Sequence, residues 1–395
     1  MFIEILIFLF LGILAGLVAG FLPGIHPNTM VLFIPLLLAV VANPLSMLVF
    51  IVAMAISNVI ADFIPSLLFG AADSETSIGV HPGQLMLLQG NGYNAIKLSI
   101  TGAVGACLLL LAMLPLLIFA VPGVYEITRP FIHLVLVAIV GLMIYDEENK
   151  AMSISCFLAA GVLGILAFQL PVDNMMILFP ILAGFFGIPA ILMNMKNRTE
   201  VPEQITSQPD TIPLQLKIKS SITGTFGGIV SGFLPGIGAT EVAGIATIDK
   251  RKESFLMTLG AIALANMLLS FLAVYLIGKA RSGVALAANS IVMIGFNELL
   301  IIITVAAVTI GISAVVVLLI SKKLLNNISK WNYVLINKLV LAFIIIMIFY
   351  FTQFYGIFLA AICTCLGLVA IKKNIKRGLL MGVLIVPTIV FYMGF

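Results

Sequence analysis

The chain has 395 residues, of which 62% are hydrophobic and 9% are charged, and its formal net charge is +4. This number of charged residues is too small to cover the surface of a soluble globular protein. We therefore expect most of the surface to face lipid. A nucleic-acid-binding protein needs a basic face on a soluble domain, and the sequence offers none, which excludes that class. The composition therefore predicts an all-α, multi-pass protein of the plasma membrane.

Apolar runs long enough to cross a bilayer recur along the whole chain. A membrane-spanning helix needs about 20 apolar residues, and counting such runs predicts about ten full crossings. The first run, Met1 to Gly20, lacks the basic start and the cleavage pattern of a secretory signal, so we interpret it as a retained helix. The polar stretch 197–215 contains three prolines and predicts a linker outside the membrane.

An internal repeat organises the chain. Residues 12–25 (GILAGLVAGFLPGI) and 224–237 (GTFGGIVSGFLPGI) share nine identities in fourteen positions, six of them consecutive. A weaker match pairs Ala55–Asn58 with Ala263–Asn266. We therefore predict a first membrane repeat at 1–196, a cytoplasmic linker at 197–215 and a second membrane repeat at 216–395.

The distribution of Lys and Arg predicts that the second repeat is inverted. These residues mark cytoplasmic loops, and seventeen of the twenty lie inside if residues 12–41 and 224–248 each form a re-entrant hairpin. Five crossings then remain in each half, and an odd number inverts the second half. Arg129, Lys279 and Arg281 are the three left outside. If one hairpin is a full crossing instead, the alternative is a parallel duplication.

The repeated Phe-Leu-Pro-Gly-Ile segment predicts two polar tips inside the membrane. Broken backbone at membrane depth needs protein or a water-filled cavity to satisfy it, and helix ends there present N–H groups that attract anions. The alternative is a packing kink or a simple loop. Arg281 lies in the Gly/Ser-containing stretch 278–283, and its guanidinium group can bind a carboxylate or a phosphate through two hydrogen bonds. The substrate-binding candidates are Pro23, Gly24, His26, Asn28, Thr29, Pro235, Gly236, Gly238, Thr240 and Arg281.

Acidic residues within apolar runs are costly, and they are functional candidates for that reason. Asp62 lies one turn after Asn58, Glu241 ends the second tip, and Asn266 is the repeat partner of Asn58. We predict that these four residues bind the coupling ion, Na⁺ or H⁺, and we expect no other cofactor. For Asp62 the alternative is a helix cap ahead of Pro65.

Other patterns indicate structure rather than chemistry. Glycines recur every four residues on the helix before each tip, a spacing that lets two helix backbones approach closely. The three histidines form no catalytic or HExxH pattern, and the cysteines suggest no metal site, so we predict neither an enzyme nor a metalloprotein. The glycines concerned are Gly12, Gly16, Gly20, Gly224, Gly228 and Gly232.

Three segments resemble a known transporter family. They are Pro-Gly-Ile-His-Pro-Asn-Thr at 23–29, Pro-Gly-Ile-Gly-Ala-Thr at 235–240 and the stretch His81 to Tyr93. They are similar to the large, TctA-like permease subunit of the tripartite tricarboxylate transporters, particularly its shorter archaeal members. The resemblance implies secondary active transport of a di- or tricarboxylate, coupled to an ion gradient, with 23–29 and 235–241 as the substrate region. It also implies a small membrane subunit and a substrate-binding protein as partners.

Two alternatives to a carboxylate permease stay open at this point. Polyprenyl-phosphate translocases resemble the chain in having inverted repeats with re-entrant Pro-Gly hairpins, and they move a lipid-carrier phosphate. A membrane-embedded assembly subunit would carry nothing, and alanine at Asn28, Thr29 or Thr240 would then change stability alone. A homodimer is compatible with each of these readings.

Overall fold

The computed structural model describes residues 2–22, 27–30, 43–69, 80–145, 147–196, 201–207, 211–233, 239–247, 249, 251–280 and 282–394. Within these ranges the regular structure is helical and no β-strand occurs. The predicted all-α class is therefore confirmed.

The α-helices are numbered here in chain order. A 3₁₀ turn at Arg129–Phe131 joins α5 to α6, and a π-helical turn at Ala183–Gly187 joins α8 to α9. The helices are α1 (Phe2–Phe21), α2 (Pro27–Met30), α3 (Pro44–Phe69), α4 (Val80–Leu88), α5 (Gly92–Thr128), α6 (Ile132–Tyr145), α7 (Lys150–Ala167), α8 (Asn174–Leu182), α9 (Ile188–Lys196), α10 (Leu214–Phe233), α11 (Ala239–Ala246), α12 (Lys252–Ile277), α13 (Gly283–Ile291), α14 (Phe296–Leu325), α15 (Tyr333–Lys372) and α16 (Gly382–Met393).

Eight helical segments of the described chain are long and apolar enough to cross a membrane. Two of them, Gly92–Tyr145 with 54 residues and Tyr333–Lys372 with 40 residues, are at least twice as long as one crossing requires. The second is broken at Gln353, where φ is 52° and ψ is −147°. The chain is thus a multi-pass membrane protein, while the number of ten crossings remains a prediction.

The glycine face of α1 packs along α3. A Cβ atom added at Gly12 would lie 2.5 Å from the carbonyl oxygen of Phe50, and one added at Gly20 would lie 2.6 Å from that of Asn58. Glycine is needed here because any side chain would push the two backbones apart. Since the contacting residue numbers rise together, α1 and α3 run in the same direction.

Parallel neighbouring helices require the chain between them to turn back. Helix α3 therefore starts at the end of the bundle at which α1 also starts. The second half repeats this arrangement, because Gly224 faces Thr258 and Gly232 faces Asn266, so that α10 and α12 are also parallel.

The short helix α11 is the returning arm of the second hairpin. It has eight residues, about 12 Å of helix, which is too short to cross a bilayer. A Cβ at Gly227 on α10 would lie 2.9 Å from Cγ1 of Val242 on α11, so the chain folds back on itself between these residues.

Each inbound arm is longer than the sequence repeat predicted. The hairpins were expected to begin at Gly12 and Gly224, whereas α1 begins at Phe2 and α10 at Leu214. No proline interrupts the ten residues before either glycine, so the helical hydrogen-bond ladder continues through them.

The central helices α3 and α12 run in opposite directions. Gly83 on α4 packs against both of them: a Cβ there would lie 2.8 Å from Leu67 and 3.7 Å from Leu256. Leu67 is near the end of α3, whereas Leu256 is near the start of α12. The two hairpins therefore enter the bundle from opposite ends, as an inverted repeat requires. The division of the whole chain at 196 and 216 remains a prediction.

The same two helices form the centre of the bundle. In their membrane-crossing windows, 94% of α3 and 83% of α12 is buried, compared with 33% of α1 and 17% of α15. The outer helices present apolar side chains on their exposed faces, which suits contact with lipid tails. Polar groups on α3 and α12 are consequently the ones that need a functional explanation.

Candidate functional site

Two asparagines mark the places where the hairpins end. Gly20 and Gly232 are the last glycines of α1 and α10. The backbone of Asn58 contacts Gly20, and Oδ1 of Asn266 would lie 3.7 Å from a Cβ atom at Gly232. The first arm of each hairpin thus ends beside an asparagine of a central helix.

The two asparagines occupy equivalent positions. Both α3 and α12 have 26 residues, and a constant offset of 208 relates Pro44 to Lys252, Asn58 to Asn266 and Phe69 to Ile277. This is the offset at which the weaker sequence match was found. The fifteenth residue of each 26-residue helix lies a little past its middle.

The two asparagines also lie at about the same depth. Gly83 brings Leu67 and Leu256 to one level of the bundle. Equal steps of nine residues, back from Leu67 and forward from Leu256, reach Asn58 and Ala265, and the rise per residue is the same in both helices. The hairpin ends of the two halves therefore meet the central helices at a common level.

Both amides are withdrawn from the surface. Asn58 is only 3% exposed and Asn266 is half-buried, and each has an interaction partner in the structure. A buried amide carries two N–H donors and one acceptor oxygen, which makes it costly to place among apolar helices. Such a pair at matching positions suits a polar ligand at mid-depth.

Asp62 lies inside α3 and does not cap it. The helix continues through Pro65 to Phe69, so the alternative that Asp62 ends a helix ahead of Pro65 is wrong. The carboxylate is half-buried, and its Oδ2 accepts a hydrogen bond of 2.9 Å from Oγ of Ser66, one turn further on. Asp62 therefore stays a candidate for the coupling ion, with Ser66 as one of its hydrogen-bond partners.

Pro65 leaves the backbone carbonyl of Ala61 without its usual helical donor. Proline has no N–H to donate to the carbonyl of Ala61, four residues earlier. Ala61 itself packs against Gly20, at the end of the first hairpin. Asn58, the Ala61 carbonyl and the Asp62 carboxylate thus lie within five consecutive residues of α3. Oxygen ligands of these kinds are the ones that hard cations prefer.

The second half carries a serine where the first has Asp62. At the same offset of 208, Asp62 corresponds to Ser270. Oγ of Ser282 donates to Oγ of Ser270 at 2.9 Å, and Ser270 donates to the carbonyl of Met267 at 2.8 Å. Ser282 also caps α13, since its Oγ accepts from the backbone N–H of Ala285. The position that Asp62 occupies in the first half thus carries a neutral hydroxyl in the second.

Sequence reasoning missed three polar residues of this site. Ser66 could have been found from its spacing of four residues after Asp62, which places both on one helix face. Ser270 follows from the constant repeat offset. Its link to Ser282 has no signal in the sequence, because the two are joined by the turn between α12 and α13.

The tip residues lie largely outside the described residues. Asn28 and Thr29 belong to α2, directly after the first tip, and Thr240 and Glu241 belong to the first turn of α11, but the description does not extend to their side chains. Their assignment to the substrate and the ion remains a prediction. The remaining tip candidates lie outside the description altogether: Pro23, Gly24, His26, Pro235, Gly236, Gly238 and Arg281.

A bundle of apolar helices with two opposed hairpins that end at a common depth defines a multi-pass membrane protein of the transporter class. Residues 6–382 match the model of the tripartite tricarboxylate transporter TctA family, so the chain belongs to that family. The resemblance inferred from the Pro-Gly segments is thereby confirmed. The family consists of transporters and works in a tripartite system with a substrate-binding protein and a small subunit.

The chain is also similar to an archaeal protein along nearly its whole length. An uncharacterized protein of Methanocaldococcus jannaschii is 31% identical over 401 residues, which cover 98% of this chain and 99% of the relative. This agrees with the expected similarity to the shorter archaeal members. No solved structure matches the chain.

Proposed function

We propose that the chain is the permease for a small organic anion, a di- or tricarboxylate, and that it works by alternating access coupled to Na⁺ or H⁺. Its family makes it a tricarboxylate transporter permease component. The observation that supports the proposal is that α1 and α10, the first arms of the two predicted hairpins, lie parallel to oppositely directed central helices and end beside Asn58 and Asn266.

The anion is held by backbone amides of the two tips. The N–H groups at the start of a helix have no intrahelical acceptor and carry partial positive charge, so they favour a carboxylate. The segments after Pro23 and Pro235 supply such groups, and Asn28, Thr29 and Thr240 add side-chain hydrogen bonds. Arg281 assists from the outer side by pairing with a second carboxylate of the substrate.

The coupling ion binds on the first half. Asp62 supplies the negative charge, and the Asn58 side chain with the Ala61 carbonyl completes an oxygen-lined position for Na⁺, or Asp62 takes up a proton. Glu241 and Asn266 contribute from the second half. Because α3 and α12 are antiparallel, rocking one half against the other opens the site first to one side of the membrane and then to the other.

Partners follow from the family. A substrate-binding protein delivers the anion, and a small membrane subunit packs on the apolar outer helices. A homodimer of the permease is compatible with these faces.

The central test is transport by asparagine variants. The full chain is reconstituted in liposomes, and uptake of labelled citrate and succinate is compared for Asn58→Ala, Asn266→Ala and the matched control Asn297→Ala, whose side chain is exposed at the start of α14. A hydrogen bond to a charged group contributes about 1.5–3 kcal/mol, so each of the first two changes should reduce uptake at least about tenfold. The control should transport normally.

Two results would remove the proposal. One is normal uptake by both central variants. The other is loss of uptake that follows loss of folding, in which case the asparagines are merely structural. Circular dichroism and size-exclusion profiles of all three variants separate these cases from a true transport defect.

Ligand-dependent stability identifies the substrate class. The unfolding temperature of the purified protein is measured with di- and tricarboxylates and with polyprenyl phosphates, each with and without Na⁺. A ligand at 100 times its Kd stabilises the folded state by about 2.7 kcal/mol. Stabilisation by carboxylates alone supports the proposal, whereas stabilisation by polyprenyl phosphates alone would make the chain a lipid-carrier translocase.

A further inference from the structure

A cleft of about 770 Å³ lies at the far end of the central helix α12. Its walls come from the end of α5 with the turn that follows it, from the end of α12 and from the end of α16. The cleft brings together Arg129 and Lys279, which are 150 residues apart in the sequence. They are two of the three cations that the charge distribution left on the outer side.

The two cations are arranged for an anion. Nζ of Lys279 lies 5.7 Å from the ring centroid of Tyr125, a cation–π contact that orients the ammonium group in the cleft. Tyr125 is only 7% exposed, so the packing around its ring holds the ring in place beneath the ammonium group. Glu126 is the one carboxylate among the lining residues that the structure describes, and with Arg129 and Lys279 it gives them a net positive charge.

The remaining lining is apolar and continues onto the outer surface. Leu276, Ile277 and Phe391 line the cleft, and Phe391 is 73% exposed. Beside it, Ile127 is 73% exposed and Phe131 is 55% exposed. Large apolar side chains so exposed on a multi-pass membrane protein face lipid tails. The positive end of the cleft thus adjoins a surface on which acyl chains lie.

A carboxylate substrate does not match this lining, because it has no apolar part to cover Ile277 and Phe391. The cleft is also distant from the hairpin ends. Eleven residues of α12 separate Asn266 from Ile277, which is about 16 Å of helix. The cleft is therefore a site separate from the one at which the hairpins end.

We propose that this cleft binds an anionic phospholipid, with its phosphate between Arg129 and Lys279 and its acyl chains along Ile277 and Phe391. Basic pockets between membrane helices recognise anionic headgroups in this way, and each Lys or Arg near the surface contributes about 1 kcal/mol. The bound lipid joins the ends of α5, α12 and α16. It thereby stabilises the end of the helix that carries Asn266.

The test uses the full-length protein, purified in non-ionic detergent and freed of lipid. Its unfolding temperature is measured against increasing phosphatidylglycerol, against phosphatidylcholine with the same chains, and against inorganic phosphate. The variant is Arg129→Gln with Lys279→Gln. A matched control, Lys322→Gln with Lys323→Gln, removes two exposed lysines at the end of α14. A second double variant, the charge-conserving pair Arg129→Lys with Lys279→Arg, keeps both charges. It shows whether a loss of lipid binding comes from the lost charges or from poor folding.

Phosphatidylglycerol should stabilise the natural protein, the control and the charge-conserving pair, and its apparent affinity for the double glutamine variant should be about 30-fold weaker. Equal protection by phosphatidylcholine, or an unchanged affinity in the glutamine variant, overturns the proposal. Full protection by inorganic phosphate overturns it as well, since the cleft would then be a site for a soluble anion. Because no transport is measured, failure here leaves the permease proposal standing.

Discussion

The two hairpin regions share a scaffold but differ in charge. In both, a helix with glycines at every fourth position packs in parallel on a 26-residue central helix and ends beside an asparagine. One turn further, the first region carries Asp62 and the second carries Ser270. The two halves thus share the helix packing and the asparagine, and they differ in charge one turn further on.

The difference has a physical reason. A carboxylate among membrane helices is costly whenever no cation or proton accompanies it. In the proposed mechanism the coupling ion binds on the first half, so a cation or a proton accompanies Asp62. At the equivalent position of the second half, the neutral Ser270 is hydrogen-bonded to Met267 and Ser282.

The largest effect is expected from neutralising the charged member of the pair. Asp62→Asn keeps the shape and removes the charge, and a lost charge pair in a buried setting costs about 3 kcal/mol or more. Gradient-driven uptake into liposomes should therefore fall about 100-fold or more. Ser270→Ala, at the equivalent position, should change uptake no more than about threefold.

Exchange of labelled for unlabelled substrate, with no ion gradient, serves as the control for an intact anion site. Equal losses in the two variants would show that the halves do not divide the tasks. Undiminished gradient-driven uptake by Asp62→Asn would remove the carboxylate from coupling.

A smaller effect concerns how closely the helices pack. A Cβ at Gly20 would lie 2.6 Å from the Asn58 carbonyl oxygen and 2.7 Å from Cβ of Ala61, whereas at Gly232 the nearest atom is Cβ of Leu269 at 3.2 Å. Gly20→Ala should thus destabilise the protein by about 1–3 kcal/mol. At Gly232 the helix propensity of alanine, about 1 kcal/mol, offsets the milder crowding, so Gly232→Ala should stay close to the natural stability.

Thermal unfolding in one detergent, with both variants side by side, measures this difference. Should Gly232→Ala prove as damaging as Gly20→Ala, the two helix pairs would be packed equally tightly, contrary to the geometry above.

The smallest effect is expected in the loop that returns from the second hairpin. Nη2 of Arg251 lies 2.6 Å from Oδ2 of Asp249, and hydrogen bonds from Arg251 lower the pKa of Asp249 from 3.8 to about 2. A lowered pKa in the folded state means that the pair contributes to stability above pH 3.8 and loses this contribution as the pH falls toward 2. The pair is exposed, so solvent screens it.

The difference in unfolding temperature between Asp249→Asn and the natural protein should therefore be small and nearly constant between about pH 5 and 8, because Asp249 stays ionised throughout that range. Thermal melts of both proteins in a series of buffers check this. A difference that grows steadily from pH 5 to pH 8 would mean that another group titrates with the pair.

Much of the architecture could be predicted from the sequence because it depends on local and periodic features. The apolar runs predicted the all-α membrane class and the glycine spacing predicted the close helix contacts, and both predictions are confirmed. The tips predicted from the repeated Pro-Gly segment lie outside the described residues. The Pro-Gly segments also carried the family. Even the partner positions Asn58 and Asn266 were visible as a weak match at constant offset.

Only the tertiary structure decided how these pieces lie against one another. The distribution of Lys and Arg predicted that the two halves are inverted, but which residues of α3 and α12 lie at one level depends on contacts between distant residues such as Leu67 and Leu256, which no local pattern encodes. The same holds for the continuation of α3 past Pro65, since burial on all sides holds a helix that proline alone would weaken. The cleft that joins Arg129 to Lys279 arises where three helix ends meet, and a helix end carries no mark in the sequence of which other ends will lie beside it.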